Sequence, residues 1–309
     1  MLKTPNLRCH VCHQGDLLTS WGESKDFEYY SSSDTFTFFE CLRCKSIFID
    51  PTPKENLALI YPSNYYSFVP GKKSLASRLK DYFDKRFFLR LLSRIPASSI
   101  SVLDVGGGTG WLLDIIRAAD PRVKFTQVVD IDASAGATAR KSGHEYFQGT
   151  VEDFSSPRKF DLILLLNLIE HVDDPRAVLI SLRRILTDDG MIIIKTPNYD
   201  SLDARIFRAS YWGGLHCPRH WHLFTKESFE ALATSADLKF ALFRYTQGAP
   251  FWAVSFMTML AKRGLIKTSA NRPLVYHPLY TPLLTASAVF DVLRGALQKT
   301  SQMFIVLKK

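Results

Sequence analysis

Residues 102–110 run Val-Leu-Asp-Val-Gly-Gly-Gly-Thr-Gly, and Trp111-Leu112-Leu113-Asp114-Ile115-Ile116 follow. The apolar lead-in reads as a buried strand and the apolar residues behind it as the opening of a helix. Glycines at a strand-to-helix turn let backbone N–H groups approach a ligand closely. The dinucleotide fingerprint requires a small third residue, and Trp111 stands at that place. Its indole would block the close helix–strand packing that this residue permits. No Gly-Lys-Ser/Thr follows, so the Walker phosphate loop is excluded as well. What remains is Asp-x-Gly-x-Gly-x-Gly, led by Asp104, with Gly106 and Gly108 in register.

Further motifs follow in order. Residues 124–132 form a second strand ending in acids, roughly 20 residues past the glycines, where a carboxylate can take both ribose hydroxyls of a nucleoside. Asp132 and Asp130 compete for that role. Asp132 is the choice here, and Asp130 is expected to be a solvated strand-end acid. Next comes Gly149-Thr150-Val151-Glu152-Asp153-Phe154. Residues 160–167 are apolar almost throughout, as a central parallel strand should be, and end at Asn167. Glu170-His171-Val172 and Asp174-Pro175 come next, and a later strand ends in Thr196-Pro197-Asn198.

In order and spacing, these motifs resemble the class I S-adenosylmethionine (SAM)-dependent methyltransferases over about residues 100–245. The resemblance implies an α/β fold with a Rossmann-like seven-stranded sheet. It implies SAM as cofactor, held by Asp104, Gly106 and Gly108, with Asp132 on the ribose and Asn167 also at the site. Val151 would pack on the adenine. Glu152 would accept from its amino group, with Asp153 as the substitute acceptor. The Glu-His-Val, Asp-Pro and Thr-Pro-Asn signatures are similar to those of a large bacterial methyltransferase subgroup.

Cys9-x-x-Cys12 and Cys41-x-x-Cys44 form two knuckles separated by 28 residues. Two such pairs can place four thiolates tetrahedrally around Zn2+. The aromatic, β-forming stretch between them suits the hairpin of a zinc ribbon over residues 1–50. Four protein ligands leave no open position, so the metal would be structural. His10 and His13 are expected as exposed knuckle residues, and Cys217 as a packing residue. Residues 51–96 follow as a Pro- and Tyr-rich linker and a basic helix. Between Lys72 and Arg94 eight cations face only Asp81 and Asp84. Leu75, Leu79, Phe83, Phe87 and Leu91 recur there at helical spacing, with Tyr82, Phe88 and Leu92 widening the stripe. This helix covers the cofactor, meets an anionic membrane, or meets a nucleic acid or phosphorylated substrate.

The chemistry is expected in residues 211–225, which hold His216, His220 and His222 and the indoles of Trp212 and Trp221. Histidine is the side chain poised to take a proton near neutral pH. The stretch resembles sugar C3-methyltransferases when Phe224-Thr225 is placed on their Phe-Ser, which puts His220 at the base position. Arg219 and Pro218 depart from that family's His-Glu-His run. His222 is a weaker catalytic candidate, and His171 is expected to be structural. Ribbon and linker also resemble sugar- and polysaccharide-pathway methyltransferases.

The net charge is +9, and 46% of the residues are hydrophobic. No stretch reaches the roughly 18 apolar residues of a spanning helix. The expected location is the cytoplasm, with peripheral membrane contact open. The methyltransferase domain is assigned to residues 97–309. It includes an apolar helical insertion over about 248–300, between a sixth strand near 239–245 and a seventh near 301–308. That insertion extends the core, forms a dimer contact or lies in a membrane interface. The expected reaction is methyl transfer to a small-molecule acceptor, a sugar nucleotide or a glycan or lipid-linked precursor. A zinc-ribbon RNA methyltransferase is the rival enzyme, although no RNA-binding module is recognisable. A SAM-binding adaptor without chemistry is the non-enzymatic alternative.

Overall fold

The structure, a computed structural model, describes residues 7–62, 75–208, 212–295 and 299–309. The end of the Pro- and Tyr-rich linker, Lys72, Lys73 and Tyr211 lie outside the described residues, as do the side chains of Leu75 and Arg78.

Three antiparallel strands come first: β1 (Leu18–Ser24), β2 (Phe36–Cys41) and β3 (Ile47–Asp50). Short α1 (Leu57–Ile60) and the basic α2 (Leu75–Leu92) lead into β4 (Ile100–Val105), the strand ahead of the glycines. Helix α3 (Trp111–Ala119), β5 (Val123–Asp130), α4 (Ala133–Lys141), β6 (Glu145–Gln148) and β7 (Phe160–Leu166) then alternate. They are followed by α5 (Pro175–Ile185), β8 (Leu186–Pro197), α6 (Leu202–Phe207) and the two-residue β9 (His222–Leu223). The chain closes with α7 (Lys226–Ser235), β10 (Lys239–Thr246), α8 (Ala249–Lys262), α9 (Tyr280–Gly295) and β11 (Gln302–Lys308).

The main sheet has the order β10-β11-β8-β7-β4-β5-β6. Only β11 runs antiparallel to its neighbours. The order reverses between β4 and β7, and at such a switch point the loops diverge to opposite faces and leave a crevice at the carboxyl ends. The strands at its centre, β4, β7 and β8, are almost continuously buried, as both covered faces require. One face is lined by α2, α3 and α4 through Phe88, Leu91, Leu113, Ile116 and Ala139.

The cysteine-bearing sheet takes its fourth strand from β9, giving the order β1-β2-β3-β9. Its knuckle side shares one core with the main sheet, where Cys9, Val11, Cys41 and Phe48 join Leu103, Ile163 and Phe224. Trp21, Phe38, Ile47 and Ile49 pack instead with Phe207, Trp212, Trp221 and Trp252 of α6, the loop before β9, and α8. The insertion is helical as expected, and α8 extends this core.

The expected apolar stripe of α2 is reversed at its start. Leu79, Tyr82 and Phe83 are exposed and Phe87 is borderline, whereas Phe88, Leu91 and Leu92 are buried. Among the described residues the buried apolar side chains of α2 begin at Phe88, and Phe87 packs 5.4 Å from Phe304 of the main sheet. Farther up, Lys80 lies 4.6 Å over the ring of Trp111, the first residue of α3.

Candidate active site

The glycine loop fills the crevice end of β4. Gly106, Gly108 and Gly110 all have positive φ, at 76°, 53° and 77°. Gly106 N–H donates to the Val129 carbonyl at 2.7 Å, which ties the loop to β5. Gly107 needs its missing side chain for another reason: a Cβ would lie 2.7 Å from the Asp104 carboxyl group. Asp104 is buried beneath it, and burial, with the Asp130 charge nearby, pushes its pKa up to about 7.

The two acids after β5 have different tasks. Asp132 N-caps α4, accepting from Ser134 N–H at 2.8 Å and the Ser134 hydroxyl at 2.7 Å. Asp130 accepts from Gly108 N–H at 2.8 Å and from Asp132 N–H at 2.9 Å. The solvated strand-end acid expected at Asp130 is therefore corrected. It is a partly buried carboxylate that fixes the glycine loop, and burial raises its pKa. The sequence signal for this was present, since Asp130 ends the strand register and Asp132 stands one residue before a helix that starts Ala-Ser.

The loop after β6 contributes Val151, which is buried in the same core as Phe154. Glu152 accepts from Asp173 N–H at 3.2 Å, bridging to the loop after β7, and Asp153 accepts from the Thr150 hydroxyl at 2.8 Å. Asn167 closes β7 in the left-handed region, with φ 57°, and its side-chain oxygen accepts from Gln302 Nε2 at 2.9 Å. Gln302 opens the antiparallel β11, which is why a residue 135 positions away reaches this edge. No residue near Asn167 in the chain marks this partner.

Beyond Asn167 a short turn carries Glu170 and His171. Glu170 is fully buried; one oxygen accepts from the Thr196 hydroxyl at 3.0 Å. Its other oxygen, Oε1, has no hydrogen-bond partner among the described residues and faces His220 Nε2 at 3.9 Å. Burial holds Glu170 up at about 8, so it carries a proton at neutral pH. His220 Nδ1 is 2.8 Å from the Gly214 carbonyl, which places its proton on Nδ1 and leaves Nε2 as an acceptor. Burial, reinforced by the neighbouring His171 and His216 rings, holds His220 well below the ordinary imidazole range. Polar atoms of Glu170, His171 and His220 lie within 4.8 Å of one another. His171 Nδ1 lies 2.9 Å from both the Arg219 carbonyl and the Tyr61 hydroxyl.

His222 is not part of this cluster. As a β9 residue it pairs with Phe48 of β3, and its ring lies 5.3 Å from His10. Its Nε2 is 3.3 Å from the Asp173 carbonyl, so the tertiary structure gives it a place on the cysteine-bearing sheet. Residues two apart share a face of a regular strand; the two histidines separate because only His222 lies in β9, whereas His220 N–H still bonds back to the His216 carbonyl in the preceding turn.

The loop carrying His220 is clamped from the N-terminal part. Arg219 is fully buried; its guanidinium is 2.8 Å from Asp26 and 4.7 Å over the Tyr29 ring. Burial alone would raise Asp26, but the Arg219 charge and hydrogen bonds pull it down to about 2. His216 Nδ1 lies 2.7 Å from Glu28. Sequence reading passed over Asp26, Glu28 and Tyr29, because nothing local marks them as partners of residues nearly 190 positions away.

The four knuckle thiols converge. Cys9 and Cys44 sulfurs are 3.6 Å apart, as are those of Cys12 and Cys41, and all four lie within 4.8 Å. Tetrahedral zinc with ~2.3 Å bonds sets sulfurs about 3.8 Å apart, so the four cysteines fit that ion. The Ser46 hydroxyl, 3.3 Å from Cys9 Sγ and 3.0 Å from Cys44 Sγ, supports the cluster from outside.

A profile of methyltransferase domains matches residues 76–241. The chain belongs to the methyltransferase-domain family. The seven-stranded sheet and its crevice are those of a class I methyltransferase. Over 180 residues the chain is 28% identical to "Ubiquinone biosynthesis O-methyltransferase, mitochondrial" of Dictyostelium discoideum, covering 50% of this chain and 53% of that protein. It is 28% identical over 167 residues to the protein of the same name in Candida albicans, covering 50% of each. The chain thus spans about half the length of these curated relatives. Among solved structures, coclaurine N-methyltransferase bound to N-methylheliamine and SAH superposes with a TM-score of 0.51 at 16% identity. That match covers 84% of this chain and 82% of the other, and it concerns the fold.

Proposed function

We propose that this methyltransferase binds SAM in the β4–β5–β7 crevice and transfers its methyl group to a small hydroxylated, phosphate-bearing acceptor such as a sugar nucleotide or glycan precursor. The carrying observation is the bond from Gly108 N–H to Asp130, which presents an amide-rich loop and a carboxylate together at the switch point. Asp130 is the principal ribose acceptor in this reading, with Asp132 held beside it. Gly106, Gly108 and Asp104 shape the loop, Val151 backs the adenine, and Glu152 and Asn167 border the site. Bound there, SAM supplies an electrophilic methyl on a sulfonium.

His220 is the base. Its Nε2 takes the proton that the acceptor atom loses as that atom attacks the methyl in line, and Gly214 holds the ring in the required tautomer. Glu170 Oε1 stands 3.9 Å from the same nitrogen and borders the base. Zn2+ on Cys9, Cys12, Cys41 and Cys44 is structural; through β9 it fixes the far end of the His220 loop.

The phosphate-bearing end of the acceptor, not the atom that His220 deprotonates, is assigned to a cavity of about 500 Å³ beyond the carboxyl end of β8. Lys45, Arg205, Arg208 and Lys299 line it against Glu40, Asp200 and Glu227, with Trp21 and Tyr199 in its wall. Cations beside aromatic rings suit a phosphorylated sugar.

Calorimetric titration of SAM into zinc-replete protein tests the cofactor site. Micromolar binding, lost in Gly106→Arg, supports it; absence of binding to the wild type refutes it. Labelled methyl transfer to sugar nucleotides, set against RNA, then tests the acceptor. Counts in RNA alone refute the sugar reading. His220→Gln is expected to bind SAM normally and lose turnover.

A further inference from the structure

Helix α9 is built inside out. Ser287, Asp291 and Arg294 recur at helical spacing and are buried. On the other side Val289, Val292 and Leu293 are 56%, 67% and 73% exposed, while the Phe290 ring flanks them and packs 5.4 Å from Trp252. A surface helix of a water-soluble domain shows the opposite arrangement. The inversion is locked by chemistry. One Asp291 oxygen accepts from Gly248 N–H at 2.7 Å; the other accepts from the Trp252 indole N–H at 3.0 Å and from Arg294 Nε at 2.9 Å. Turning the apolar stripe inward would break these charge-assisted bonds and expose the carboxylate's donors. The apolar face therefore points outward by construction.

The insertion that carries α9 is cationic in sequence. Residues 248–300 contain six Lys and Arg residues, and Asp291, buried, is their single acid. Arg263, Lys267 and Arg272 are exposed, and so are Leu265 and Leu279 of the same insertion.

We infer that the outer face of α9 docks on an anionic lipid surface, lying in the headgroup region with Val289, Val292 and Leu293 toward the acyl chains. Charge selects this occupant. A second copy in a symmetric contact would set the same cation-rich segment against itself, whereas anionic headgroups complement it. An exposed apolar helix face in a segment whose exposed charges are Lys and Arg is a composition that binds in the interface plane. No helix among the described residues is long and apolar enough to cross a membrane, so the contact is interfacial. The inference goes beyond the methyl-transfer reading and does not depend on it.

Vesicle flotation of the full zinc-replete chain tests it. The wild type is expected to float with phosphatidylcholine vesicles containing phosphatidylglycerol, to stay behind with pure phosphatidylcholine, and to be released by salt. The Val292→Glu, Leu293→Glu double variant should melt at the same temperature and bind roughly tenfold or more weakly, from the lost apolar transfer. A Leu293→Trp variant should show an emission blue shift on adding the anionic vesicles. Failure of the wild type to float overturns the inference, as does flotation that the double variant retains. A wild-type dimer in sedimentation velocity that the double variant converts to monomer also overturns it, because a second copy then covers the face.

Discussion

Gly107 is fixed by a contact: its position leaves no room for a Cβ above the Asp104 carboxyl group. Gly107→Ala is therefore expected to shift the loop, cost about 1–3 kcal/mol of stability and weaken SAM binding, as read by denaturant melts and calorimetry. The Asp26–Arg219 pair is a second such point. Both side chains are completely buried, and removing one partner strands the other charge. Arg219→Ala should cost about 3–5 kcal/mol and abolish turnover by releasing the His220 loop, whereas an exposed pair such as Arg43–Asp16 should matter little. His171 offers a pH test. Burial lowers it to about 3, against an ordinary value of 6.5 in the unfolded chain. Between those values the unfolded state binds a proton that the folded state does not. Stability therefore falls as pH drops below 6.5, by ~1.4 kcal/mol per pH unit from this one group. Urea melts of His171→Asn should show a dependence flatter by one proton; an unchanged slope would refute the assignment.

At the scale of elements, the decisive pairing is β3 with β9. It carries the state of the cysteine cluster into the loop that positions His220. Cys41→Ser, or chelation of the metal, should therefore do more than loosen an appendage. Loss of bound zinc by elemental analysis should be accompanied by several kcal/mol of destabilisation and by loss of methyl transfer, because Cys9, Cys41 and Phe48 sit in the same core as Leu103 and Phe224. If the metal-free protein kept full activity, the coupling through β9 would be wrong. The insertion shows the same logic in α8, whose Trp252 meets Phe207 at 5.9 Å and also donates to Asp291 of α9.

For the molecule as a whole, a crevice built from β4, β5, β7 and β11 couples cofactor binding to global stability. Saturation at a hundred times Kd adds about 2.7 kcal/mol, which should raise the melting temperature by roughly 5 °C. SAM is expected to produce that shift in the wild type and none in Gly106→Arg, measured by differential scanning fluorimetry.

The local sequence determined a large part of this. The Val102–Gly110 turn, the apolar runs of β7 and β8, and the two cysteine knuckles are legible because backbone preference, burial and ligand spacing act over a few residues. They specified the seven-stranded fold, the place of the glycine loop and the four converging thiols. Tertiary structure decided what depends on distant partners. It engaged Asp132 as a helix cap and Asp130 at the glycine loop, brought Gln302 to Asn167, and separated His220 from His222 onto different surroundings. It also buried the polar stripe of α9 and turned its apolar stripe outward. For Asn167 and Asp291 the deciding hydrogen bond comes from a residue far along the chain, Gln302 and Trp252, and such a partner leaves no mark in the neighbouring sequence.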